Sequence, residues 1–191
     1  VVVGITGSSG KTGTKELTRA AIEGSRRVHA TPGNLNNRIG LPLTLLDTPD
    51  EAEVVVLEMG TNEPGEIAEL TRIAEPQIGV VTTVSDTHVE KLESLEGVLE
   101  EKLDLLRGLP DDGKAIVGDE PATLSEYAGR IPRHVLVVGL GTGADAEYRP
   151  DNPSVDDQGC WSFVWRGEPV HLRVPGRHSV QNALLALTVA E

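Results

Sequence analysis

Two kinds of hydrophobic pattern alternate along the chain. Short runs rich in Val and Ile occupy residues 1–5 (VVVGI), 28–31, 53–59 (EVVVLEM), 77–84, 114–117 and 134–138 (HVLVV). Between them lie stretches whose apolar positions recur every three or four residues: 14–24, 39–46, 65–74, 94–106 and 121–129. The first kind predicts strands; where the run is unbroken, as at 53–59, the strand is covered on both faces. The second predicts helices, with Gly24 as a stop and Pro42 in a first turn. Strand–helix alternation of this sort predicts an α/β fold, a mostly parallel sheet with helices on both faces. The pattern changes after Gly139. Residues 141–159 are rich in Gly, Asp and Pro, and two alternating runs, 160–165 and 168–174, flank a turn at Arg166-Gly167. They predict a small antiparallel hairpin within a β-rich subregion, 141–175, where Trp161, Phe163 and Trp165 share one face as core. A last helix is expected to start near His178.

At 191 residues the chain fits one large domain, long enough to bury about 70% of its unfolded surface. It opens within a core strand, stops inside a helical pattern and carries its one methionine at Met59. It therefore reads as a portion of a longer protein. A net charge of −13 and a pI near 4.8 argue against a nucleic-acid or anionic-membrane partner. Cys160 is alone, so no internal disulfide can form, and a reducing cytoplasm is the expected setting. No apolar run has the length of a membrane span, and no signal peptide is visible.

Candidate chemistry begins at the first strand. It ends in Gly7-Ser8-Ser9-Gly10, followed at once by Lys11-Thr12-Gly13 and a helical pattern opening at Thr14. Glycines let backbone N–H groups converge on an anion, and the helix dipole favours negative charge there. Lys11 would reach the β- and γ-phosphates of ATP, and the Thr12 hydroxyl would ligate Mg²⁺. The usual G-x-x-x-x-G-K-[ST] spacing is missed by one place, since position 5 is Ile and the upstream glycines are Gly4 and Gly7. Strand, loop, Lys-Thr and helix nevertheless arrive in the order an ATP site requires.

Three further residues carry interest. Glu58 ends a core strand, where open α/β sheets place their ligands, and its hard oxygens suit Mg²⁺. Lys102 shares a helix face with Leu95, Val98, Leu99 and Leu106, while Glu100, Glu101 and Asp104 are expected to point away. A lysine in such a stripe either snorkels beside a structural acid or, carbamylated by CO₂, becomes an anion able to help hold Mg²⁺. His88 follows the strand that ends at Val84. On the phosphate-loop edge, its neutral imidazole could bind a second metal; off it, the ring is simply solvated.

The motifs TGSSGKT (6–12), TPGNLNNRIGLPLTLL (31–46), LEMGTNEPGEI (57–67), THVEKLESLEGVLEEK (87–102) and PGRHSVQNALLA (175–186) resemble the Mur ligase family. The resemblance covers essentially the whole chain, in order. It corresponds to the family's central ATP-binding domain, residues 1–191 here, without the N-terminal UDP-substrate and C-terminal domains. Asn34-Leu35-Asn36-Asn37, the MG-x-N-x-x-GEI run and Lys15-Glu16 are most similar to the branch that adds D-Ala-D-Ala to UDP-MurNAc-tripeptide. Another Mur-type ligase, cyanophycin synthetase or folylpolyglutamate synthase is the alternative within the class; a nucleotide-binding module without catalysis is the alternative outside it.

The resemblance implies a bacterial cytoplasmic enzyme, monomeric at full length, that forms an acyl phosphate and then a peptide bond. It implies ATP contacts along Gly7, Ser8, Ser9, Gly10, Lys11, Thr12 and Gly13, and adenine contacts at Asn182 with His178 close by. It also implies one Mg²⁺ on Thr12 and Glu58, a second on His88, and carbamylation of Lys102. Lys11, Lys102 and His88 would be the residues closest to the chemistry. The chain departs from the family pattern at Gly13, Thr83, Glu93, Gly118 and Ser179.

Overall fold

The computed structural model describes residues 1–85 and 94–191. Six parallel strands form the main sheet: β1 (Val2–Thr6), β2 (Val28–Ala30), β3 (Val54–Glu58), β4 (Ile78–Val81), β5 (Lys114–Gly118) and β6 (Val135–Val138). Their order is β2-β3-β1-β4-β5-β6. From β1 the chain crosses to β2 at one edge, fills the gap with β3, then returns to build β4, β5 and β6 on the other side. Ile5 lies opposite Glu58, and Thr6 opposite Val81, so the carboxyl ends of β3, β1 and β4 form one continuous edge. Such a switch in strand order opens a crevice at that edge.

Alternation along the strands sorts the core into two layers. Val55, Leu57, Ala115 and Val117 face helices α2 (Gly40–Leu46), α3 (Glu66–Ala74), α4 (Leu95–Arg107) and α5 (Ala122–Ala128), through Leu41, Leu70, Leu103, Leu106 and Leu124. Val54, Val56, Ile116 and Val138 face α1 (Lys11–Ile22) and α6 (Arg177–Ala190), through Ile22, Val180, Leu184 and Leu185. This arrangement agrees with the α/β expectation.

Two boundaries and one added strand differ from what the sequence suggests. Helix α1 opens at Lys11, not Thr14. Gly10 (φ 82°) supplies a left-handed entry and its carbonyl accepts from the Thr14 N–H at 2.8 Å, so polar Lys11-Thr12-Gly13 makes the first turn. Strand β4 stops at Val81 rather than Val84, because the next residues turn to bind the phosphate loop. The hairpin of β8 (Trp161–Trp165) and β9 (Glu168–His171) is present, with Arg166 and Gly167 both at positive φ as a two-residue turn needs. It has a third member, β7 (Asp151–Val155), within the β-rich subregion 141–175 but in its Gly-, Asp- and Pro-rich part, to which the sequence pattern assigns no strand. β7 is exposed throughout and carries Pro153, as an edge strand can. Phe163 and Trp165 pack into the second core layer, as their shared face suggests. Among the described residues no helix is long and apolar enough to cross a membrane.

Leu106 is fully buried between α4 and the sheet. Leu106→Ala is expected to lower stability by about 3 kcal/mol, read as a shifted urea midpoint with an unchanged slope.

Candidate nucleotide site

The loop between β1 and α1 is shaped by two glycines and by β4. At Gly7 (φ 149°) a Cβ would lie 2.0 Å from Thr82 Oγ1, and at Gly10 a Cβ would lie 2.6 Å from Asn182 Oδ1. Neither position has room for a side chain, and both need a backbone that L-residues avoid. Thr82 is the clamp. Its hydroxyl donates to the Ser9 carbonyl at 2.6 Å, and the Ser8 N–H donates to the Thr83 carbonyl at 2.8 Å. Nothing in the apolar run at 77–84 distinguishes Thr82 from a core residue, which is why sequence reasoning missed it.

Lys11, at the first position of α1, folds its ammonium back onto the Gly7 carbonyl at 2.7 Å. Burial lowers its pKa, and the neighbouring Glu58 carboxylate opposes that shift. The Thr12 hydroxyl donates to Glu58 Oε2 at 2.8 Å, and Asn36 Nδ2 donates to Oε1, also at 2.8 Å. Glu58 is 3% exposed, at the end of β3. Thr31, just past β2, accepts the Glu58 N–H on its hydroxyl at 2.9 Å. A hydroxyl and a carboxylate thus meet beside an anion cradle. That donor set fits Mg²⁺, which keeps most of its waters and takes one or two hard oxygens from the protein together with phosphate. Among the described residues no cluster of three or more His, Cys, Asp or Glu side chains is poised for a metal.

Lys102 of α4 is 2% exposed. Its pKa is pushed down to about 8, chiefly by burial and then by the Lys11 charge, with Glu101 pulling the other way. Lys102 and Lys11 therefore sense one another across the same end of the sheet. Glu101 does not point away as its helical position suggests: it is buried. Its carboxylate accepts the Gly65 N–H at 2.6 Å and the Ile67 N–H at 2.8 Å, serving as the cap that α3 lacks in its own sequence. Cavities make no signal in a helical wheel, so a residue one position off the apolar stripe can still be buried by a neighbouring helix end.

Asn182 and His178, both on α6, line a cavity of about 600 Å³ together with Ser9, Gly10, Thr83 and Pro121. A purine fits that volume, and the cavity continues from the phosphate cradle. The departures from the family pattern have visible surroundings. A Cβ at Gly13 would lie 2.6 Å from Asn182 Nδ2, and one at Gly118 would lie 2.3 Å from the Thr82 carbonyl. The Ser179 hydroxyl donates to the Pro175 carbonyl at 3.0 Å. His88 and Glu93 lie outside the described residues.

Residues 5–190 match the family model described as the Mur ligase middle domain. The chain belongs to the Mur ligase family. Within the Mur ligases it is 40% identical over 189 residues to the UDP-N-acetylmuramoyl-tripeptide–D-alanyl-D-alanine ligase of Bacillus subtilis, covering 97% of this chain and 40% of that protein. The Escherichia coli ligase of the same name is 34% identical over 193 residues, covering 99% of this chain and 42% of the relative. The crystal structure of the MurF ligase of Thermotoga maritima in complex with ADP superposes with a TM-score of 0.83 at 30% identity, covering 99% of this chain and 44% of that one. This Mur ligase domain thus spans about two fifths of the length of the curated relatives it matches.

The buried charge at Lys102 has a measurable cost. Between pH 8 and 10.5 the unfolded chain keeps a proton that the folded chain has released, so stability rises with pH over that window; below pH 8 the penalty is fully present. In CO₂-free buffer, Lys102→Met is expected to stabilise the fold at pH 7 by on the order of 1–3 kcal/mol. That advantage should shrink to nothing by about pH 10.5, as followed by thermal unfolding across pH.

Proposed function

We propose that this chain is the central ATP-binding domain of an ATP-dependent amide ligase. The enzyme joins D-Ala-D-Ala to UDP-MurNAc-tripeptide in the bacterial cytoplasm, as a monomer at full length. The observation that carries the reading is the Thr12–Glu58 hydrogen bond beside the glycine cradle of Lys11. A phosphate-binding loop alone would serve any nucleotide protein. A buried carboxylate and a hydroxyl facing it, with a second buried lysine behind, suit phosphoryl transfer to a carboxylate. The names of the relatives supply the substrates.

In the reaction, a carboxylate oxygen of the tripeptide attacks the γ-phosphorus of ATP, the bond to the β-bridging oxygen breaks, and ADP leaves. The free amine of D-Ala-D-Ala then attacks the acyl carbon of the resulting acyl phosphate. The tetrahedral adduct expels inorganic phosphate, and the amine proton is lost to give the amide. The N–H groups from Gly7 to Gly13, that of Ser8 excepted because it is bonded to the Thr83 carbonyl, and the α1 dipole hold the phosphates, and Lys11 exchanges the Gly7 carbonyl for a phosphate oxygen. Mg²⁺, held by Thr12 and Glu58, supplies charge neutralisation on the phosphates when bound. His88 would hold a second ion in this reading. Lys102, whose low pKa leaves a large neutral fraction near pH 8, would add its amine to CO₂ with loss of a proton to give a carbamate. Asn182 and His178 receive the adenine, and Gly13 leaves the Asn182 amide free to turn toward it. Orientation of the two substrates needs the remaining domains of the ligase.

ADP release by the full-length enzyme with UDP-MurNAc-tripeptide should depend on D-Ala-D-Ala. Lys11→Ala is expected to lower the rate at least about a hundredfold. Lys102→Ala is expected to lose most activity and to regain part of it when a short-chain carboxylic acid is added, in the manner of a missing carbamate. Preference for a single amino acid as acceptor would move the assignment to another Mur-type ligase. ATP turnover indifferent to both substrates would leave only a nucleotide-binding module.

A further inference from the structure

Lys15 is 1% exposed, as fully buried as any apolar residue of α1, yet it is not part of the lining of the adenine cavity. Its ammonium donates to the Thr31 carbonyl at 2.8 Å and pairs with Glu16 Oε1 at 3.0 Å. Glu16 is itself half-exposed, so the buried partner that fixes Lys15 is the carbonyl. Thr31 is equally buried, and all three of its polar groups are committed. Its N–H donates to the Val56 carbonyl at 3.0 Å, its hydroxyl accepts the Glu58 N–H, and its carbonyl takes Lys15.

These contacts close a ring. From Thr12 the path runs through the Glu58 carboxylate to the Glu58 backbone, on to Thr31, across to Lys15, and back along one turn of α1 to Thr12. Thr12 and Lys15 are three residues apart, on one face of the helix. The ring has one link that metal binding must break: the direct Thr12–Glu58 hydrogen bond, since both oxygens would turn to the ion. Once it breaks, the Lys15–Thr31 contact is the remaining polar tie in this ring between the phosphate helix and the carboxylate strand. Resting on the nucleotide reading above, we propose that Lys15 is a positioning residue for the Mg²⁺ site. It acts through Thr31 to hold Glu58 at a fixed distance from Thr12 when the ion separates them. It does not act on the phosphates.

The test uses the full-length protein, with Mn²⁺ as the probe metal and a non-hydrolysable ATP analogue. Free Mn²⁺ is followed by its EPR signal, and analogue affinity is measured separately in EDTA. Lys15→Met is expected to weaken Mn²⁺ binding in the ternary complex about tenfold while leaving metal-free analogue affinity within twofold. Unchanged Mn²⁺ affinity in folded Lys15→Met overturns the inference. So does a parallel loss of both affinities, which would mark Lys15 as part of the general scaffold. If Lys15→Met does not fold, Thr31→Val decides, because it keeps the shape and removes only the hydroxyl that takes the Glu58 N–H. Weaker Mn²⁺ with unchanged metal-free affinity supports the relay, and unchanged Mn²⁺ overturns it. A parent protein that binds no Mn²⁺–analogue complex overturns the nucleotide reading itself, a result distinct from any difference between variants.

Discussion

A carboxylate almost wholly removed from water must be surrounded by donors, or it gives up its charge. Glu58 meets that demand with the Thr12 hydroxyl, the Asn36 amide and the field of nearby Lys11. They come from two separate parts of the chain. Thr12 and Lys11 need α1 to start directly after the cradle. Asn36 needs the loop after β2 to fold back over the sheet edge, where the Gly60 N–H donates to its carbonyl at 2.7 Å. Glu58 itself needs β3 to pair with β1, which fixes Ile5 opposite it. The geometry of this corner therefore depends on satisfying one buried charge.

The parts of this arrangement that could be read from the residues are those written in local pattern. Apolar runs gave the strands, and Gly7 to Thr12 gave the cradle, because backbone conformation and side-chain chemistry there are both local properties. Lys102 also stood out, since a cation in an apolar stripe is conspicuous without any knowledge of its surroundings. What stayed hidden depends on contacts between distant segments. Thr82 looks like one more strand residue until β4 is seen to lie beside the cradle. Glu101 looks solvated until the end of α3 is found against it. The strand β7 carries no alternation, because it buries nothing, and is held in place by β8 alone.

The two buried lysines illustrate how similar burial leads to different chemistry. Lys15 has a carbonyl at hydrogen-bond distance and an acid beside it, and both hold its ammonium. Lys102 is opposed by a second cation, and its adjacent acid, Glu101, is occupied with the backbone of α3. A charge so poorly compensated lets its proton go more readily, so its pKa falls to about 8.

Strand β1 lies at the centre of the sheet, yet its neighbours arrive late: Val2 pairs with Val55 and Val3 with Ile78. The helix that follows β1 packs against α6, which begins only at Arg177. The opening strand and helix thus depend on partners spread from residue 54 to residue 190, and such distant pairings form slowly. The cavity beside the cradle takes one wall, His178 and Asn182, from that last helix, so it is complete only once α6 has docked.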